Sequence, residues 1–152
     1  MDKTALKNLI SSWAEGIEFD EEQEYLQVTL PGETLHEVAL QLKDHPETAF
    51  DYLFCQSGID WPDHLEVVYH LESTKHKHII VARTKTEGRE TPEVDTVCDI
   101  WPTAEFHERE IYDLYGVVFR NHPDLRRLLL TDDWEGYPLR KDYVDDVNMI
   151  DY

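Results

Sequence analysis

Basic side chains are scarce in this 152-residue chain: 14 Lys and Arg stand against 33 Asp and Glu, a formal net charge of −19. That balance disfavours nucleic acid and anionic membrane surfaces, which select Lys and Arg. It suits a solvated acidic surface or one that meets basic partners. Cysteine is nearly absent too. Cys55 and Cys98 form no CxxC and no second pair, which argues against a disulfide framework and for a cytoplasmic location. Both are expected as small buried hydrophobes. No window approaches the roughly 20 apolar residues of a membrane span. The opening MDKTALKNLISSWAEG lacks the basic and apolar regions of a secretory signal. Also missing are GxGxxG, a P-loop, paired CxxC, GxSxG and HExxH. Without them no nucleotide, flavin or iron–sulfur cluster has a recognisable holder, so any redox cofactor is expected on other chains.

What is present suffices for a core. The hydrophobic share is 41%, with four Trp, eight Tyr and five Phe, and the length fits one domain. Leu6, Leu9, Ile10 and Trp13 lie at helical spacing within residues 2–14. Tyr25, Leu26, Val28 and Leu30 suggest a strand ending at Pro31-Gly32. Thr34 and Glu37 read as a capping box, with Leu35, Val38, Ala39 and Leu42 on one helical face until Pro46. Strands are expected at 50–55, at 65–71, where Leu65, Val67, Tyr69 and Leu71 alternate, and at 79–84, the last two as a hairpin. A further strand is expected at 94–100.

Residues 107–116, HEREIYDLYG, are the most chemically suggestive stretch. Thr103 is a candidate N-cap and Gly116 a candidate left-handed C-cap, so residues 104–115 should make about three helical turns. On that helix Phe106, Arg109, Glu110 and Asp113 share one arc. Ile111, Leu114 and Tyr115 face inward, and Glu108 lies at the far edge. Arg109 stands four residues from both Glu105 and Asp113, and a flanking cation keeps carboxylates ionised. A general acid at neutral pH needs the opposite shift. Glu110 and Asp113 lack a second Glu-x-x-His partner motif for a metal. The arrangement therefore favours a charged helix face or a docking surface over catalysis or metal binding. The histidines add little: His76 and His78 share a face without a third ligand, and His36, His45 and His70 are expected at the surface. His122-Pro123-Asp124 reads as a turn opening a short helix over 125–129.

Three motif blocks, taken together, resemble a known family. They are Glu-Arg-Glu-x-Tyr-Asp-Leu-Tyr-Gly at 108–116, then Phe119 with His122-Pro-Asp-Leu-Arg-Arg127, and Trp134-Glu-Gly-x-Pro-Leu-Arg-Lys-Asp-Tyr143. Their order and spacing resemble the 30-kDa subunit family of respiratory complex I, which is the C-type subunit of bacterial NADH–quinone oxidoreductase. The resemblance is specific from about Trp101 to Tyr143. Tyr137 stands where a His is expected, and Val144 where a Pro is expected. The chain is short for the family, which suggests a stand-alone subunit rather than a fusion.

The expected fold is α+β: a two-layer domain in which helices cover a mixed or antiparallel sheet, with an extended irregular C-terminal arm. The expected division is a compact part at 1–120 and an arm at 121–152. The resemblance implies a subunit without a redox group, peripheral on the cytoplasmic side of the bacterial inner membrane. FMN, iron–sulfur clusters and the NADH and quinone sites would lie on other subunits. The implied partners are the large hydrogenase-like D-type subunit of the quinone site and neighbouring peripheral-arm subunits, in a complex that translocates protons. Glu108, Arg109, Glu110, Asp113, Gly116, His122, Arg126, Arg127, Arg140, Lys141 and Asp142 are the expected interface. The alternatives are the equivalent subunit of a membrane-bound hydrogenase or of a quinone oxidoreductase with another donor. A self-standing metal-binding enzyme domain is the reading from a different class.

Overall fold

In the computed structural model, which describes residues 1–147, three helices cover one face of a five-stranded sheet. Helix α1 (Lys3–Ser11) starts where Asp2 accepts the Ala5 N–H at 2.8 Å. Strands β1 (Glu18–Asp20) and β2 (Leu26–Leu30) precede α2 (Leu35–Asp44). Then come β3 (Tyr52–Asp60), β4 (Leu65–Glu72), β5 (Ile79–Lys85), β6 (Glu93–Asp95), α3 (Ala104–Tyr115) and β7 (Val118–Arg120). The main sheet has the order β1-β2-β5-β4-β3, with β2 and β5 parallel and the other pairs antiparallel. Strands β6 and β7 form a small parallel pair.

Alternation along the strands decides the core. Leu26, Val28 and Leu30 align with Ile80, Ala82 and Thr84, and these with Leu71, Tyr69 and Val67. This face buries Leu6 and Ile10 of α1, Val38, Ala39 and Leu42 of α2, and Ile111 of α3 in one cluster. The opposite face carries Gln27, Thr29, Arg83 and Glu66 around Val68 and Val81.

Several local expectations are corrected. Thr34 makes no capping bond: its N–H and hydroxyl both turn back to the Pro31 carbonyl, at 3.1 and 3.3 Å, because it closes the turn after Pro31-Gly32. The strand expected at 50–55 runs over Tyr52–Asp60, since residues 56–60, though less apolar, still have β4 to pair with. The strand expected at 94–100 pairs only over Glu93–Asp95. Beyond it the chain turns, and Ile100 and Trp101 both donate to the Val97 carbonyl. Residues 125–129 form no helix. Cys55 and Cys98 are free and half-buried rather than fully buried.

Helix α3 lies close against β3 because Gly58 has no side chain. A Cβ there would meet Tyr115 Cδ2 at 2.8 Å and Ile111 Cγ2 at 3.3 Å. Gly58→Ala is expected to force the helix outward and cost roughly 1–3 kcal/mol, read as a lowered denaturation midpoint; an unchanged midpoint would refute the close packing.

Candidate functional site

The two ends of α3 are fixed by the strands and the arm. Thr103 makes no cap bond; its hydroxyl donates to the Leu53 carbonyl of β3 at 3.2 Å. Gly116 adopts φ +76° and ψ 22°, the left-handed cap its position suggested, and its N–H reaches the Tyr112 carbonyl at 2.9 Å. A Cβ at Gly116 would approach the Tyr137 ring to 2.5 Å, so this glycine also admits the arm.

Asp113, 0% exposed, is the point where the arm is fastened. One carboxylate oxygen accepts three successive backbone N–H groups, from Leu128, Leu129 and Leu130, at 3.0, 2.6 and 3.0 Å. The other accepts Arg127 Nη1 at 2.9 Å. Arg127 also donates to the Asp113, Trp134 and Gly136 carbonyls. Burial pushes the Asp113 carboxyl up, but the Leu130 N–H, the Arg127 guanidinium and the Leu129 and Leu128 N–H groups outweigh it. They hold the carboxyl below its usual value. The expected Glu105–Arg109–Asp113 ladder is not what forms. Arg109 is buried and donates to the Arg126 and Arg127 carbonyls at 3.2 and 3.1 Å, with its guanidinium 5.6 Å from the Phe106 ring centroid.

A second anchor holds the arm further on. Asp60, buried at the end of β3, pairs with Arg89 and accepts the Lys141 N–H at 2.7 Å. Burial raises its carboxyl, while the Arg89 and Lys141 bonds lower it further than burial raises it. Arg89 also reaches Asp142 at 3.3 Å. Arg140 Nε donates to the Tyr115 carbonyl at 2.6 Å. The Arg127 and Arg140 guanidinium groups lie 5.4 and 5.0 Å from the Tyr137 ring centroid, an aromatic–cation packing. Asp60, Arg89 and this role of Tyr137 escaped the sequence reading; the one available signal was the departure from His at 137.

Glu108 is the clearest correction. Expected at the far edge of the helix, it is 0% exposed. It recurs with Ala104, Ile111 and Tyr115 at the 4-3-4 spacing of the inward stripe, a signal the residue's charge obscured. It accepts the Thr96 hydroxyl and, at 2.9 Å, the Val97 N–H. Burial pushes its pKa from 4.5 up to about 7 despite these bonds, and Asp99 adds to the rise. This carboxyl is not held ionised by a cation.

Cys98, Glu108 and His122 bring one ligand atom each within 4.8 Å of one another. The hydrogen bonds of His122 oppose metal binding there. Nδ1 accepts the Asp124 N–H at 3.0 Å, so Nε2 carries the ring proton and donates it to the Glu105 carbonyl at 3.0 Å. The nitrogen facing Glu108, at 3.9 Å, is therefore a donor. His76 and His78 stack on each other and donate to the Pro46 and Thr48 carbonyls.

The expected interface residues thus divide. Glu108, Arg109, Asp113 and Gly116 are buried, and His122, Arg127 and Arg140 are half-buried with partners inside the chain. Glu110, Arg126, Lys141 and Asp142 are exposed. Among the described residues no helix is long and apolar enough to cross a membrane.

Asp113→Ala strands the Arg127 charge and three N–H groups. It is expected to cost roughly 3–5 kcal/mol and to open Arg126 and Arg127 to trypsin, as read by melting and timed digestion. Wild-type digestion kinetics would count against the anchor. Glu108 gives a different signature. Its folded pKa is raised, so its stabilisation is full below about pH 4.5 and is lost as pH rises through about 7. Glu108→Gln should remove that fall, on the order of 3 kcal/mol, from denaturation curves taken between pH 4.5 and 8. The acid-side loss from Asp60 and Asp113, whose carboxyls are held low, should remain.

The sequence and fold of known proteins agree with this architecture. The family described as "Respiratory-chain NADH dehydrogenase, 30 Kd subunit" matches residues 28–147. The chain is 50% identical over 123 residues to the C/D-type NADH-quinone oxidoreductase subunit of Phocaeicola vulgatus, covering 80% of this chain and 23% of that protein. It is 46% identical over 108 residues to the C-type NADH-quinone oxidoreductase subunit of Chloroherpeton thalassium, covering 70% of this chain and 45% of that protein. The match thus takes in less than half the length of either relative. A chain in the structure of the membrane-bound sulfane sulfur reductase, an archaeal respiratory membrane complex, superposes with a TM-score of 0.79 at 27% identity. That match covers 95% of this chain and 86% of that one. With the family match spanning residues 28–147 and the three motif blocks lying within it, the chain belongs to the 30 Kd subunit family of respiratory-chain NADH dehydrogenase.

Proposed function

We propose that this chain is a subunit, without a redox group of its own, of the peripheral arm of a proton-translocating NADH–quinone oxidoreductase. It docks on the large D-type subunit of the quinone site and supports assembly of the electron-transfer module. In this reading the complex lies at the cytoplasmic face of the bacterial inner membrane. FMN, iron–sulfur clusters and the NADH and quinone sites are carried by other subunits, and this chain has no catalytic centre. Neighbouring peripheral-arm subunits complete its surroundings.

The observation that carries the reading is the arm. Residues beyond β7 form no helix or strand through residue 147, yet they are fastened to the domain by Asp113 and Asp60. An irregular segment held this firmly presents a defined surface without needing a core of its own. The C/D designation of the Phocaeicola vulgatus relative supports a D-type neighbour. Arg109, Asp113, Arg127 and Arg140 then shape the arm from within, with Gly116 and His122. Direct contacts fall to Glu110, Arg126, Lys141 and Asp142.

A second reading has its own support. The likeness to a chain of the sulfane sulfur reductase complex suits an equivalent subunit in a respiratory membrane complex fed by another donor. The proteins recovered with the chain separate the two.

The test is affinity purification of the tagged chain from its own membranes, with mass spectrometry and NADH–quinone reductase assays. A D-type subunit in stoichiometric amount is expected. The double variant Glu110→Lys/Arg126→Glu should reduce assembled complex several-fold through like-charge cost at the interface. It should shift the isolated chain's stability by no more than about 0.5 kcal/mol, as for exposed sites. Full assembly of the variant would refute these contacts, and absence of any large subunit would refute the reading.

A further inference from the structure

We infer that the leucine turn at 128–130, with Phe106, is the apolar tip by which this chain seats in an apolar, basic-rimmed socket of the large D-type subunit. The inference rests on the reading above and sharpens it: the tip, not the charged face of α3, anchors the docking.

The turn's shape follows from one carboxylate. Residues 128–130 point their N–H groups inward at Asp113. With the backbone committed inward, the side chains have little room within the fold. Leu129 is 64% exposed and Leu128 36% exposed, while Leu125, just before them, packs against the core. An amphipathic helix at this place would have buried such residues. The chain instead uses a buried ion pair to hold a turn that exposes two of them.

Phe106 is a further exposed apolar side chain, tied to the turn through Arg109. It is 58% exposed and stacks with the Arg109 guanidinium, whose donors hold the Arg126 and Arg127 carbonyls immediately before the leucines. One guanidinium thus links the ring on α3 to the turn. Apolar residues gathered this way mark an interaction surface more than scattered ones do.

The charges around the tip select the occupant. Arg109 and Arg127 are engaged inside the chain, and Arg126 pairs with Asp124. Glu110, Asp132 and Asp133 are exposed, and the whole chain carries −19. An exposed leucine turn followed closely by two exposed carboxylates, with a third on α3 four residues from Phe106, complements an apolar pocket edged by Lys and Arg. It disfavours nucleic acid and anionic lipid. A D-type subunit is the neighbour that the C/D relative supports.

The experiment is pull-down of the D-type subunit from detergent-solubilised membranes by the tagged full-length chain, comparing wild type, Leu129→Asp and Leu129→Met. Leu129→Asp should lower recovery at least ten-fold while the chain's melting temperature stays at the wild-type value, and Leu129→Met should retain recovery. Wild-type recovery with Leu129→Asp would overturn the tip as anchor and leave the proposed function standing. Wild type that brings down no D-type subunit would overturn the proposed function itself. Phosphatidylcholine vesicles supply the remaining arm. Binding by wild type that Leu129→Asp abolishes, with pull-down intact, would assign the tip to a lipid surface and overturn the socket.

Discussion

A buried carboxylate accepting three consecutive backbone N–H groups and a guanidinium is the interaction on which the C-terminal third depends. Asp113 replaces the repeating bonds that a helix or strand would have supplied to residues 128–130. Backbone donors withdrawn from water need partners, and here a single side chain provides them. Arg127 neutralises the charge and passes its remaining donors to the Trp134 and Gly136 carbonyls, so the order reaches further along the arm. Tyr137, against Gly116 and packed with two guanidinium groups, continues it to Asp60 and Lys141. The arm is thus built around α3 by polar contacts rather than by a core of its own.

Glu108 shows the same helix managing charge in the opposite way. Asp113 is surrounded by enough donors to hold its carboxyl below the usual value, whereas burial outweighs the two donors on Glu108 and raises its pKa to about 7. Its bonds to Thr96 and Val97 fix the turn after β6 and bring α3 to the two-stranded sheet. Two acidic residues five positions apart therefore hold different segments with their pKa values shifted in opposite directions. Each is inaccessible and already bonded to its own chain.

Much of the domain was legible because its signals are local. The alternation of Leu65, Val67, Tyr69 and Leu71 marked β4, and the apolar spacing of Leu35, Val38, Ala39 and Leu42 marked α2. Gly116 marked the end of α3. Errors came where a distant partner changed the local outcome. Residues 97–100 read as strand, yet Glu108 takes the Val97 N–H. Residues 125–129 read as helix, yet Asp113 takes the N–H groups of 128–130. Thr34 matched a capping pattern, but the turn at Pro31 claimed its hydroxyl. The residues expected at an interface were mixed for the same reason: exposed Glu110, Arg126, Lys141 and Asp142 stood beside residues that serve the interior.

By itself the sequence determined the acidic surface, the order of most strands and helices, the extent of α3 and the motif blocks of its family. These depend on composition, periodicity and residues close together in the chain. Tertiary structure alone decided which charges are buried. A helical wheel gives the angles between Glu108, Arg109 and Asp113 but not what lies against each arc, and a charge stays solvated unless something offsets its desolvation. For Asp113 the offset comes from residues 127–130, and for Glu108 from 96 and 97. Only the folded chain brings them together.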